Sequence, residues 1–270
     1  MMNVSIVTYN TPLDELSRCL DVLSHPIVNS VFVVDNSESS SIHDICRAYD
    51  FARYIPNKNT GYGSAHNIAI RESMTEGADY HLVLNSDVIF SADILKELVA
   101  FMDSNEDVAQ VQPDILNADG TRQYTCRLLP RPYDVFARRF LPACFSKHSD
   151  ERYLLKFFDH SRIADVPYQQ GSFMLFRTKC FSEVGLFDER FFMYPEDIDI
   201  TRRMHSRFRT VFYPNVSVVH AHRAASYHSL RMTLVHAVNM ARYFNKWGWF
   251  FDSERRKVNR KTLDALGYKG

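Results

Sequence analysis

The sequence has few of the features that would place it outside ordinary globular enzymes. Its five cysteines, Cys19, Cys46, Cys126, Cys144 and Cys180, are odd in number and form no C-x-x-C pair. That spacing excludes a disulfide framework and a cysteine zinc site and suits reduced thiols in a cytoplasmic protein. No run of about 18 apolar residues occurs, so no segment reads as a membrane span. The opening MMNVSIVTYN is strand-like and lacks the basic and apolar regions of a signal peptide. An excess of either charge is also missing, with 32 Lys and Arg against 32 Asp and Glu. That balance gives no global reason to bind nucleic acid, where affinity rests on neutralising phosphates. There is no Gly-Lys-Ser/Thr after a glycine loop, no third glycine of a dinucleotide fingerprint and no H-E-x-x-H, and no repeat or low-complexity tract.

What is present is a chain that is 46% hydrophobic and 24% charged, as in a folded globular domain. Its first half alternates strand and helix patterns. Residues 3–9 read as a buried strand, and 12–24 as a helix with Leu13, Leu16, Leu20 and Leu23 on one face. Strand 31–35, helix 41–49, strand 51–55, helix 64–75 and strand 80–84 follow. Helix 91–103, with Ser91 as a candidate N-cap, and strand 108–112 close the series. Strands separated by helices predict an α/β fold with a mostly parallel sheet. Residues 113–167 carry five prolines and weaker periodicity, which suits a hairpin, loops and short helices. Strand 171–177, helix 195–207, strands 210–213 and 216–220 and a helical tail from 227 complete the reading.

In such sheets ligands collect beyond the carboxyl ends of the strands, so the polar residues there carry the interest. Asp35 with Asn36 ends the second strand; its carboxylate can cap a turn or accept from a bound base or ribose. Asn59-Thr60-Gly61-Tyr62-Gly63, followed by Ser64-Ala65-His66-Asn67, precedes a helix, where glycines allow close approach of a phosphate or sugar, or simply make a loop. The strand Leu82-Val83-Leu84 runs into Asn85-Ser86-Asp87, placing one carboxylate where a hard divalent cation could bridge it to a diphosphate.

Two more groups lie downstream. In Tyr194-Pro195-Glu196-Asp197-Ile198-Asp199, Pro195 suits the first position of a helix and the acids suit its dipole. Helical geometry sets Asp197 on the apolar stripe of Ile200, Thr201, Met204 and Phe208. Asp199 falls on the other face, able to pair with Arg203 at i,i+4. Asp197 is then the inward carboxylate, and partial desolvation makes it a better base. His220 and His222 share one face of a strand and could ligate a metal or touch phosphate, or stand as ordinary strand histidines.

The ordered set Thr8-Tyr9-Asn10, Asp35-Asn36-Ser37, Asn59-x-Gly61-x-Gly63-x-x-x-Asn67, Asn85-Ser86-Asp87, Gln170-Gly171-Ser172, Glu196-Asp197-Ile198-Asp199 and His220 resembles the bacterial family 2 glycosyltransferases of GT-A fold, and within them the rhamnosyltransferase-like branch of cell-surface polysaccharide synthesis. The resemblance spans residues 3–226. It implies inverting transfer from a nucleoside diphosphate sugar, assisted by Mg²⁺ or Mn²⁺, to a glycan acceptor, lipid-linked in that branch. It implies that Asp197 is the catalytic base, that Asp35 helps hold the base, and that Asp87, last residue of the family's D-x-D element, and His220 meet metal and diphosphate. Thr8, Asn10, Asn36, Gly61, Gly63, Asn67, Asn85 and Ser86 fall on the donor side, and Gly171, Ser172 and Glu196 on the acceptor side. Asn85 departs from D-x-D, since the family places an aspartate there.

The expected organisation is a catalytic domain over 1–226, its nucleotide-binding half 1–112 and acceptor-binding half 113–226, and a helical extension over 227–270. In the extension Leu230, Leu234, Ala237, Ala241 and Phe244 recur at heptad-like spacing. Trp247, Trp249, Phe250 and Phe251 stand beside Arg255, Arg256, Lys257, Arg260 and Lys261. That composition suits either peripheral contact with an anionic membrane or packing on the catalytic domain or on a second copy in a homodimer. The competing functional reading is a non-catalytic nucleotide- or sugar-binding module. A nucleotidyltransferase would want a Gly-rich basic loop after the first strand, where this chain has Thr8-Tyr9-Asn10-Thr11-Pro12.

Overall fold

Alternation of apolar side chains on both faces of the strands requires cover on both sides of the sheet, and the computed structural model supplies it. The structure describes residues 1–37, 41–140, 149–221 and 230–269; Cys144 and His222 lie outside them. The strands are β1 (Met2–Thr8), β2 (Val28–Asp35), β3 (Ala52–Pro56), β4 (Tyr80–Leu84), β5 (Val88–Ile89), β6 (Val108–Leu116), β7 (Cys126–Arg127), β8 (Ala164–Asp165), β9 (Tyr168–Gln169), β10 (Phe173–Arg177) and β11 (Arg209–His220). The helices are α1 (Leu13–Leu23), α2 (Ser41–Cys46), α3 (Tyr62–Thr75), α4 (Asp93–Asp103), α5 (Pro132–Phe140), α6 (Phe181–Val184), α7 (Glu196–His205), α8 (Leu230–Trp247) and α9 (Ser253–Leu266).

The main sheet runs β3-β2-β1-β4-β10-β6-β11-β5, with β8 on β11. Its strands are parallel from β3 to β4 and again between β6 and β11. β10 enters antiparallel between β4 and β6. One face buries Leu82, Leu84, Phe173 and Leu175 against Leu16, Leu20, Leu95 and Leu98 of α1 and α4. The other buries Val83, Met174 and Phe176 against Ile70, Phe181, Ile200 and Met204 of α3, α6 and α7.

Three local expectations are corrected by packing. The two strands expected at 210–213 and 216–220 are one strand, β11, whose register against β6 jumps between Tyr213 and Ser217. The jump lies opposite Pro113, which has no N–H for the ladder, so β6 continues to Leu116 while its neighbour bulges. Ser91 is not the N-cap of α4: Ala92 holds that position without a side-chain cap. Pro195 stands just outside α7, at its cap position.

The helical extension is part of the same body. Met240, Tyr243 and Phe244 of α8 pack with Leu129, Tyr168, Phe191 and Ile198. The heptad-like stripe expected from Leu234 is not the buried one, since Leu234 is 66% exposed. Arg202 of α7 reaches Asp252 through two bonds of 2.8 and 2.9 Å, and both side chains are buried. Its guanidinium also lies 4.0 Å over the Trp247 ring. Asp252 at the same time caps α9 by accepting from Arg255 N–H at 2.9 Å. Of the basic run, Arg255 is buried and donates to the carbonyls of Pro130, Gly248 and Trp249. Breaking a buried pair strands the remaining charge. Asp252→Ala is therefore expected to lower stability by about 3–5 kcal/mol, read as the urea midpoint at unchanged slope.

Candidate active site

Four segments meet at the carboxyl ends of the central strands. Because β10 runs antiparallel with Phe173 opposite Leu84, the loop leading into it lies against the turn leaving β4, and Asn85 N–H donates to Ser172 O at 2.9 Å. The end of β11 joins the same place, with His220 paired to Val88 and Ala221 N–H donating to Asp87 O at 3.3 Å. The start of α7 brings Asp197.

Asp87 Oδ1 lies 3.2 Å from His220 Nε2. His220 is buried and Asp87 half-buried. On the far side of the ring, Nδ1 lies 3.2 Å from Gln123 Oε1. Gln123 Nε2 donates to His220 O at 2.7 Å, which fixes the amide and leaves Oε1 as the acceptor facing the ring. In the neutral ring Nδ1 therefore carries the proton, and the lone pair of Nε2 is turned to Asp87. One carboxylate oxygen and one imidazole nitrogen facing each other fit a divalent cation. Among the described residues no group of three or more His, Cys, Asp and Glu side chains could hold a metal. Asp87 and His220 could supply two ligands to such a cation.

Asp197 is half-buried at the wall of a cavity of about 450 Å³, with Gln123, Tyr124, Arg127, Tyr168, Gln170 and His236 among its lining. Its Oδ2 accepts from Gly171 N–H at 3.1 Å and Tyr168 O–H at 3.3 Å, and its Oδ1 from Ile198 N–H at 2.8 Å. Burial pushes its carboxyl up from the ordinary range, while these donors act against the rise. Glu196 beside it is buried, and its Oε2 has no partner. Burial first, and the Asp197 charge second, hold Glu196 well above the usual carboxylate range. Both carboxyls are thus held above the ordinary range, Glu196 the more strongly. Asp199 is not on an outward face, as its helical position suggested. It is fully buried and receives Arg203, Lys246 and Trp247 Nε1 at 2.8, 2.6 and 2.8 Å, because α8 covers that side of α7.

Other expected site residues are placed differently. On the side where a side chain would stand, Gly61 and Gly63 are closed off by chain. A Cβ on Gly61 would lie 2.4 Å from Phe192 O, and one on Gly63 2.9 Å from Phe187 Cβ. Asn67 is fully buried and spends its amide on the backbone of Phe187 and on Glu189, so it pins the 187–189 segment and is not available to a donor. Ser172 and Glu196 are buried beneath the site and do not line the cavity; Gly171 contributes its backbone to Asp197. Asp35 is fully buried, accepting from Thr8 Oγ1, Ser37 N–H and Oγ, and Tyr54 O–H. Asn36 is buried against Asn57 and Asn59, Asn10 is exposed in a left-handed turn, and Ser86 Oγ donates to Glu15 at 2.6 Å.

Tyr62, Gln123, Arg127, Tyr168, Tyr194 and His236 were not singled out by sequence. Tyr62 and Tyr168 at least stand inside or beside the motif segments; Gln123, Arg127 and His236 come from stretches with no pattern of their own.

The family model described as Glycosyl transferase family 2 matches residues 4–185. The low-salt glycan biosynthesis hexosyltransferase Agl10 of Haloferax volcanii is 32% identical over 175 residues, covering 63% of this chain and 52% of that protein, so the chain spans about half its length. Rhamnosyltransferase WbbL of Escherichia coli is 26% identical, covering 86% of this chain and 83% of the relative. The N-acetylglucosaminyl-diphospho-decaprenol L-rhamnosyltransferase of Mycobacterium tuberculosis is 28% identical, covering 84% and 77%. Among solved structures, the mannosyltransferase PcManGT of Pyrobaculum calidifontis, in complex with GDP-Man and Mn²⁺, superposes with a TM-score of 0.56 at 16% identity over 100% of this chain and 75% of that one. The fold is the GT-A fold.

The raised Glu196 carboxyl makes a signed prediction. Its folded pKa lies above its unfolded one, so wild type loses stability as pH rises through the ordinary glutamate range and the unfolded chain alone ionises. Glu196→Gln is uncharged in both states. Its melting temperature is expected near wild type at pH 4 and increasingly above it by pH 8, as followed by calorimetry.

Proposed function

This chain belongs to glycosyl transferase family 2 and is a glycosyltransferase, and we propose that it moves rhamnose or a hexose, with inversion, from a nucleoside diphosphate sugar to a hydroxyl of a glycan acceptor in cell-surface polysaccharide synthesis. The observation that carries this reading is the continuity of one cavity. Its wall runs from Gln123, hydrogen-bonded to the partner of Asp87, to Asp197, a carboxyl group oriented by backbone and phenol donors.

Asp197 accepts the proton of an acceptor hydroxyl lying in the cavity. The hydroxyl oxygen bonds to the anomeric carbon as the bond from that carbon to the diphosphate oxygen breaks on the opposite face, which inverts the centre. Asp87 and His220 are the residues that would hold a divalent cation, which when bound supplies positive charge against the leaving diphosphate. Tyr168 and Gly171 keep Asp197 oriented, and the ring of Tyr168 is itself packed beneath Arg127, 5.5 Å from the guanidinium carbon.

The rhamnosyl- and hexosyltransferase relatives support a sugar of either class, and the diphospho-lipid in the name of the Mycobacterium tuberculosis relative supports a lipid-linked acceptor. No helix among the described residues is long and apolar enough to cross a membrane. A lipid acceptor would instead be met from the inner face of the cell membrane, with Phe250 and Phe251, 73% and 91% exposed, as the contact.

A thermal-shift panel of UDP, dTDP, GDP and CDP, with and without Mn²⁺ or Mg²⁺, names the donor. A ligand at 100 times its dissociation constant adds about 2.7 kcal/mol. One nucleotide is expected to stabilise with metal, and Asp87→Ala to abolish that shift. Asp197→Ala should keep the shift and lower kcat by roughly 10²–10⁴. An Asp197→Ala protein with normal turnover sinks the base assignment, and no shift with any nucleotide counts against the nucleoside diphosphate donor and leaves only a non-catalytic sugar-binding module.

A further inference from the structure

Tyr62 stands at the first position of α3, with its ring edge-on to His66 at 4.4 Å between centroids and its N–H given to Phe192 O at 2.9 Å. Its hydroxyl reaches two groups at once: the atom placed as Asn85 Oδ1 at 2.8 Å and Gly171 O at 2.7 Å. A phenol has one proton. Burial, with Glu196, Asp197 and Asp87 nearby, holds the Tyr62 phenol well above its ordinary range, so that proton stays on. If Asn85 offered its oxygen, two acceptors would compete for one proton, and one close contact would be oxygen against oxygen. The nitrogen and oxygen of an amide exchange places by a half-turn, and the network decides between them. With the Asn85 NH₂ toward Tyr62, every contact is satisfied: Asn85 donates to the phenol oxygen, and the phenol donates to Gly171 O.

The relay spans the site. Asn85 belongs to the donor turn after β4. Gly171 holds Asp197 through its own N–H at 3.1 Å. Tyr62 O–H is the tie between them. We infer that Tyr62 is a positioning residue for Asp197, and that asparagine in place of the first D-x-D aspartate is what leaves the Tyr62 proton free to hold Gly171. An aspartate at position 85 is acceptor-only when ionised. It draws the phenol proton by a charge-assisted bond, turns a lone pair of the phenol oxygen on Gly171 O, and loosens the loop that orients the base. The inference rests on the glycosyltransferase reading for its effect on turnover, but not for the hydrogen bonds themselves.

Four proteins test it: wild type, Asn85→Asp, Tyr62→Phe and the double variant. Tyr62→Phe keeps the ring on His66 and removes only the hydroxyl. With the donor named by the nucleotide panel, Asn85→Asp is expected to lower kcat about tenfold, the worth of one well-placed hydrogen bond, although it restores the family pattern. Tyr62→Phe lowers kcat to a similar extent with the donor KM unchanged. In the Tyr62→Phe background the Asn85→Asp exchange has little further effect, because the proton it would divert is gone. An Asn85→Asp protein as fast as wild type or faster overturns the inference, as does an equal loss in both backgrounds. The melting temperatures of the four ligand-free proteins give a second cycle that needs no substrate. Non-additive melting supports the relay and additive melting overturns it. Should no nucleotide sugar turn over, that cycle still decides the relay, and only the donor reading falls.

Discussion

The site depends on one strand running the wrong way. β10 enters the sheet antiparallel between β4 and β6, with Phe173 opposite Leu84. A parallel strand there would deliver its carboxyl end to the ligand edge and leave its preceding loop at the far side of the sheet. Running antiparallel, it delivers residues 170–172 to the turn after β4, which is where Gly171 can hold Asp197 and meet Tyr62. The turn after β4 and the loop before β10 are thus joined by a backbone hydrogen bond, Asn85 N–H to Ser172 O, and the loop's backbone in turn meets Asp197 and Tyr62.

The helix that carries Asp197 is held just as firmly from behind. Burying Asp199 and Arg202 without partners would cost several kcal/mol each. α8 and the cap of α9 supply those partners in Lys246, Trp247 and Asp252. The same helix α8 turns Met232, His236 and Met240 to the cavity. The C-terminal segment therefore builds one wall of the cavity and the back of the helix that carries Asp197, and its aromatic residues are mostly buried in that work, with Phe250 and Phe251 left outside.

Much of this was legible in the sequence, for physical reasons that can be named. The doubly apolar strands with leucines at helical spacing between them announce an α/β sheet, because period-2 and period-3.6 burial are local properties. The placement of Asp87, Asp197 and His220 at the carboxyl edge of the sheet was legible because each follows or ends a recognisable element there. The glycine pair was ambiguous for an equally physical reason. A glycine reports that something comes close to the backbone, but not what, and on the side where a Cβ would stand it is Phe192 and Phe187. Asn67 misled in the same way, since an amide in a motif says that hydrogen bonds are made and not with whom.

What the sequence determined by itself is the alternation of elements, the two faces of the sheet and the acids and imidazole at its edge, since these follow from side-chain period and from neighbours a few residues away. What only the tertiary structure decided is which groups pair across long separations: Gln123 with His220, Tyr62 with Asn85 and Gly171, Arg202 with Asp252, and Glu196 left without a partner for Oε2 beside a well-served Asp197. Charge state and orientation are set by desolvation and by the hydrogen bonds each group finds, and those partners are chosen by how the sheet closes, not by position in the chain.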